Sequence, residues 1–261
     1  MIGLFVAFWA EHLKIRRSKI FLLTFLACLF MTMIMGLLMF VAKNPELAQK
    51  FGILGIKASI LEVEANWSTY FGFLNMGIAM GGLIGFGFVT SWVFGREYSD
   101  RTMKDLLALP IPRLSIVSAK FVAIVIWCIL LSVFSIISGL IIGIIVGLAG
   151  WSNEFILHSV YIFMMTSVLT IVLCTPVAFI ANFGRGYLAP IGFVIVTAII
   201  AQFMGVLGLS PYTPWAIPAL YCNAGGAEAV QLGIISYIIL FLTGIIGLIS
   251  TFVWWRYADQ A

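Results

Sequence analysis

The chain has 261 residues, 63% of them hydrophobic and 9% charged, with a net charge of +4 and a mean hydropathy of +1.16. This composition lies far outside the soluble globular range and points to an integral membrane protein. The positive charge is confined to short segments between apolar runs, so it reads as a topology signal and not as a nucleic-acid footprint.

In the first 19 residues, Leu4, Phe5, Phe8, Trp9 and Leu13 recur mostly on one helical face, with Glu11, Lys14, Arg17 and Ser18 elsewhere. This predicts an amphipathic helix lying at the membrane interface, marked by Phe5, Phe8, Trp9, Arg16 and Arg17 and in contact with lipid. Its basic cluster follows the apolar patch and no small-residue site closes the next span, so it does not read as a cleaved signal peptide.

A bilayer core needs about 20 apolar residues per helix. Six runs without Asp, Glu, Lys, Arg or His meet that length: 20–42, 70–95, 121–149, 159–181, 187–209 and 231–255. They are too continuous for alternating barrel strands, and lipid tolerates backbone only where its hydrogen bonds close internally. The expected fold is therefore all-α, one domain of six transmembrane helices over residues 1–261.

Eleven of the 14 basic residues fall on one side of this arrangement, from Lys14 through Arg96, Lys120 and Arg185 to Arg256, while Lys43, Lys50 and Lys57 fall on the other. The positive-inside rule then places both termini in the cytoplasm and the protein in the cell membrane as a multi-pass chain.

Within the spans, Gly77, Gly81 and Gly85, and again Gly139, Gly143 and Gly147, repeat at four-residue spacing. Such stripes allow helix backbones to approach closely, within one chain or across a dimer seam. Pro176 and Pro190 mark candidate bends, Pro190 equally a first-turn position. Cys28, Cys128 and Cys174 lie inside spans and Cys222 outside without an evident partner, so no structural disulfide is expected. The proline- and aromatic-rich segment 210–228 is expected to be an external interfacial or re-entrant element.

The chemistry available is narrow. His12 and His158 fall on opposite sides of the membrane, which leaves no metal cluster and no histidine-dependent nucleophile. No GxxxxGK[ST] loop occurs, so ATP is not bound by that route. Asn75, Ser132, Ser135, Ser138, Thr166, Thr170, Asn182 and Gln202 are read as helix–helix hydrogen-bonding residues, with cation coordination as the alternative.

One polar island breaks the pattern, Arg96-Glu97-Tyr98-Ser99-Asp100-Arg101-Thr102-Met103-Lys104-Asp105. Setting topology alone needs no acids, so Glu97, Asp100 and Asp105 point to a surface for a partner. The stretch from Glu97 through Thr102, Leu106, Leu107 and Pro110 to Arg113, with Lys120 opening the next span, resembles the first cytoplasmic loop of type-2 ABC exporter permeases, the membrane subunits of bacitracin-resistance and lantibiotic-immunity exporters. Arg101 stands where many members have glycine before the threonine. The whole layout is similar too, with an N-terminal interfacial helix, six spans and a semi-apolar element before the sixth.

That resemblance implies a type-2 ABC exporter transmembrane-domain fold and a coupling helix over 96–115. Glu97, Asp100, Arg101, Thr102, Leu106, Leu107, Pro110 and Arg113 would then seat in a separate ATP-binding subunit. It also implies a second permease copy or a related permease. ATP and Mg would be held by the partner ATPase, with no cofactor and no metal on this chain. An uncharged, Phe-, Met-, Ile- and Leu-rich bundle suits an amphiphilic cargo such as an antimicrobial peptide, a lipid-linked molecule or a drug. The alternatives are an ATP-independent carrier or channel, and a non-transporting membrane scaffold or sensor.

Overall fold

The computed structural model describes residues 2–44, 64–108, 110–223 and 232–257. Among the described residues the chain is α-helical with no strand, and six helical passages are long and apolar enough to cross a membrane. Lys50 and Lys57, the last part of the 210–228 element and the side chain of Leu107 lie outside the described residues.

Helix α1 (Ile2–Arg16) precedes the first passage, α2 (Lys19–Lys43), which Ser18 caps by accepting a 3.0 Å hydrogen bond from the Ile20 N–H. The second passage is composite: α3 (Trp67–Met76), a π-helical turn (Gly77–Gly81) and α4 (Gly82–Ser99). The short α5 (Met103–Leu107) leads to the third passage, α6 (Arg113–Val146). The fourth breaks at Leu173 and Cys174 into α7 (Asn153–Val172) and α8 (Thr175–Phe183). The fifth is α9 (Leu188–Val206). Two 3-10 turns and α10 (Ile217–Tyr221) then precede the sixth, α11 (Ile234–Tyr257).

Several passages outrun the charge-free segments. Helix α6 begins at Arg113 and not at Phe121, and its 34 residues make a rod of about 50 Å, well beyond the roughly 30 Å hydrocarbon slab. The excess lies at the basic end, where α4 also continues to Ser99. Of the charged side chains on those extensions, Glu97 and Lys120 are buried against protein, Arg96 is half-buried and Arg113 is exposed.

Lipid tails are as apolar as leucine, so the bundle is held by shape and hydrogen bonds more than by water exclusion. Its core is aromatic: Trp67, Tyr70 and Phe71 of α3, Phe86 and Trp92 of α4, Trp127 of α6 and Phe163 of α7 belong to one buried cluster. The Tyr70 hydroxyl donates to the Gly139 carbonyl at 3.1 Å, and Trp127 donates its indole N–H to Thr24 at 3.2 Å. At the end opposite the basic one, Lys43 donates to the Val146 and Gly147 carbonyls at 2.9 and 2.7 Å, supplying a cation to the negative C-terminus of α6. Cys28, Cys128 and Cys174, the cysteines inside the passages, are free thiols.

The 210–221 segment folds back along α9. The Trp215 ring meets Phe193 edge-on at 5.7 Å, about 20 Å of helix before α9 ends at Val206. Ile217 is fully buried in a cluster with Leu169, Leu173 and Val177.

Candidate functional site

The polar island is divided, not one helix over 96–115. Helix α4 ends in a Schellman turn: the Thr102 N–H donates to the Glu97 carbonyl at 3.0 Å and the Arg101 N–H to the Tyr98 carbonyl at 3.2 Å. That turn requires a left-handed residue, which is Arg101 at φ +59°. Glycine reaches this conformation without the Cβ penalty of about 1 kcal/mol, which accounts for its use by many members at the matching position. After α5, Pro110 and Pro112 prevent helical continuation until α6 opens at Arg113.

The island's side chains divide by direction. Asp100, Arg101, Thr102, Lys104, Asp105, Pro110 and Arg113 are exposed. Met103 is buried and Leu106 half-buried, so Met103 is the principal anchor of α5. Asp100, Arg101, Lys104 and Asp105 form no ion pair among the described residues, leaving a small face of mixed charge.

Glu97 is placed differently from the other island residues. It is 3% exposed, and its Oε1 accepts from the fully buried Lys120 at 2.8 Å and from Lys14 at 3.1 Å. Glu11, also buried, lies 2.6 Å from Lys14 and 3.6 Å from Lys120. Lys120 further donates to the Val93 carbonyl at 2.8 Å. Two acids and two lysines thus pair where α1, α4 and α6 meet, with Arg96 3.9 Å from Glu97 at the edge. Burial alone would pull the Lys14 pKa down, but Glu11 and then Glu97 outweigh it and hold the ammonium above its usual value. The Glu97 carboxylate therefore faces the bundle and is not presented on the exposed side of the island.

Helix α1 is oriented by the same cluster. Its buried stripe is Ala7, Glu11 and Ile15, spaced by four, while Phe5 and Trp9 are 68% and 55% exposed. Phe8 is half-buried, and Arg16 and Arg17 are exposed. The acid expected on the solvent face is thus the most inward residue of the helix.

A second joint ties α4 to α8 and α11. Asn182 is fully buried, accepts from the Trp255 indole at 2.8 Å and from the Tyr98 hydroxyl at 3.4 Å, and donates to the Ala178 carbonyl at 2.6 Å. Below it, Thr175 donates to the Gly244 carbonyl at 2.5 Å, just after the helix break at Leu173 and Cys174. Most other polar span residues bond within their own helix: Ser132 to Cys128, Thr166 to Ile162 and Thr170 to Thr166.

Between α2 and the α3–α4 passage lies an apolar groove of about 520 Å³, inside the range of small-molecule sites. Met31, Thr32 and Met35 line one wall, Ile78 and Phe86 the other, and Leu131 the back. Leu23, Met31 and Ile84 are exposed at its edges, so it opens sideways where lipid would lie.

The two glycine stripes have different uses. Gly77, Gly81 and Gly85 line this groove, and a Cβ at Gly77 or Gly85 would meet nothing within 4 Å. The expectation of close helix packing there is corrected within the chain: the stripe widens a cavity. At Gly139 a Cβ would stand 2.9 Å from Leu74, and at Gly143 it would overlap the Trp67 ring, so these two do admit α3. Gly147 is neither; at φ +66° it forms the left-handed cap of α6.

The chain therefore presents a six-passage membrane bundle, an exposed charged loop held by a buried ion cluster, and a lateral apolar groove, which is the anatomy of a transporter's membrane subunit. Residues 7–201 match the family model described as ABC-2 family transporter protein, and the chain belongs to that family. It is also 28% identical over 207 residues to the bacitracin transport permease protein BCRB of Bacillus licheniformis, covering 78% of this chain and 98% of that protein. The chain is thus an all-α ABC-2 permease, a transporter's membrane subunit.

Proposed function

We propose that the chain is the permease of an ATP-driven exporter in the cell membrane, with both termini and the Arg96–Arg113 loop in the cytoplasm. A separate ATP-binding subunit, carrying ATP and Mg, docks on the loop face formed by Asp100, Arg101, Thr102, Lys104 and Asp105, with Pro110 and Arg113 beside it. The observation that supports this most is the contrast within the loop, whose outward charges form no ion pair among the described residues while its roots are locked by Glu97, Lys120 and Met103. A push on that face is carried into α4 and α6 together, because both helices hold the same carboxylate. Leu106, half-buried against the core, completes the loop's attachment.

Two such permeases, identical or related, form one pathway, and closure of the ATPase pair rocks the helices between inward and outward access. The cargo is an amphiphile such as an antimicrobial peptide, a lipid-linked molecule or a drug. The uncharged groove between α2 and α4 supports that class, as does the bacitracin permease named among the relatives.

The test is flux in proteoliposomes containing the chain with and without its ATP-binding subunit, using a fluorescent amphiphilic peptide. Transport should require both chains and hydrolysable ATP. Equal flux without nucleotide would establish an ATP-independent carrier, and partner binding without flux would establish a scaffold.

A further inference from the structure

A second cavity, of about 410 Å³, lies at the basic end between α1, α2 and α6, separate from the groove described above. Its inner wall is apolar: Ala123, Trp127 and Leu130 come from successive turns of α6, with Ile126 beside them and Phe21 opposite. The Trp127 ring is fixed by its hydrogen bond to Thr24 and by Phe21 at 5.4 Å. Ile126 and Leu130 are exposed, so the cavity is open along its side to the membrane. From Ala123 to Leu130 it extends about 10 Å along α6 from the basic end.

Its mouth has the opposite character. His12 and Arg16 line it and both are exposed. Arg16 makes no ion pair among the described residues. Helix α2 starts beside it at Lys19, and Phe21 of its first turn lines the cavity, so the positive end of that helix faces the same place. The acid of α1 that could compensate Arg16, Glu11, is turned inward and already paired with Lys14 and Lys120. An unpaired guanidinium above an apolar slot open to lipid has the chemistry of a phospholipid site with negative net charge.

We propose that this cavity binds one anionic phospholipid, its phosphate on Arg16 and His12 and one acyl chain along Ala123, Trp127 and Leu130. The lipid would fill the wedge that α1 leaves open against α2 and α6, and so fasten the interfacial helix on the side away from the Glu11 cluster. Arg17 is equally exposed but does not line the cavity, which separates a built site from general attraction to an anionic surface.

The experiment is native mass spectrometry of the purified chain after exposure to equimolar palmitoyl-oleoyl phosphatidylglycerol and phosphatidylcholine. Wild type and Arg17→Gln should each retain one phosphatidylglycerol in preference to phosphatidylcholine. In Arg16→Gln that retention should fall about tenfold, the loss expected for one charge-assisted hydrogen bond. Ala123→Phe, which fills the slot and leaves Arg16 in place, should lose the lipid as well. Equal losses in Arg16→Gln and Arg17→Gln would overturn the proposal in favour of diffuse surface charge. Full retention in Ala123→Phe would overturn the acyl slot, and if that variant fails to fold, the comparison of Arg16→Gln with Arg17→Gln decides alone.

Discussion

Lys120→Met should lower the stability of the folded chain by about 3–5 kcal/mol, the usual cost of removing one partner from a buried ion pair. Lys120 is fully buried, donates to Glu97 and to the Val93 carbonyl, and ion-pairs with Glu11 at 3.6 Å. Without it, two buried carboxylates are left with Lys14 and, at 3.9 Å from Glu97, Arg96. The double variant Lys120→Met/Glu97→Gln should regain a substantial part of the loss, because the uncompensated charge, more than the missing attraction, carries the penalty. Equilibrium unfolding in mixed detergent, followed by tryptophan fluorescence, measures both. A loss under about 1 kcal/mol in the single variant, the range of exposed pairs, would mean that the cluster is solvated.

Gly247→Ala should be nearly as damaging despite adding one methyl group. A Cβ there would stand 2.7 Å from both the Pro176 Cα and the Thr175 carbonyl carbon, and these are backbone atoms that cannot rotate aside. The seam between α8 and α11 must open, at a cost of about 3 kcal/mol, the upper part of the range for overpacking. Gly85→Ala supplies the contrast, since its Cβ would enter open space, and stability should hold or rise by up to about 1 kcal/mol through better helix propensity. The same unfolding assay distinguishes them, and equal losses in the two variants would refute the division of the glycines into packed and cavity-lining sets.

The spans were legible because lipid imposes a single strong rule, continuous apolar helix, and the chain obeys it six times. The direction in which each helix faces was less legible. Two glycine stripes with the same spacing do opposite things, since spacing reports that a helix face is small and not what lies across from it. Glu97 read as a docking residue because setting topology needs no acid and because it opens the stretch that resembles the exporter coupling loop. Its inward turn follows from Phe86, Thr90 and Val93, which precede it on the buried face of α4 at helical spacing. Glu11 carried a similar signal in its four-residue spacing from Ala7 and Ile15, but the larger Phe5, Phe8 and Trp9 dominated the apolar pattern of that helix. Lys14 had no such marker, since only the fold brings it to Glu97. The left-handed Arg101 was legible only as an oddity, an arginine where glycine is common, and the Schellman turn supplies its cause.

These placements also sharpen how partner docking is tested. Charge reversal at Glu97 would disturb the bundle itself, whereas Arg101 and Lys104 project from it and can be reversed without touching the buried cluster. The decisive measurement is co-purification from the native host of tagged wild type and of Arg101→Glu/Lys104→Glu, with unfolding midpoints measured on both. The account predicts that an ATP-binding subunit accompanies wild type, and that its recovery falls at least about tenfold in the double variant, as loss of two interfacial charges implies, while the midpoints agree. Equal recovery with both chains, or no nucleotide-binding protein with either, would contradict it.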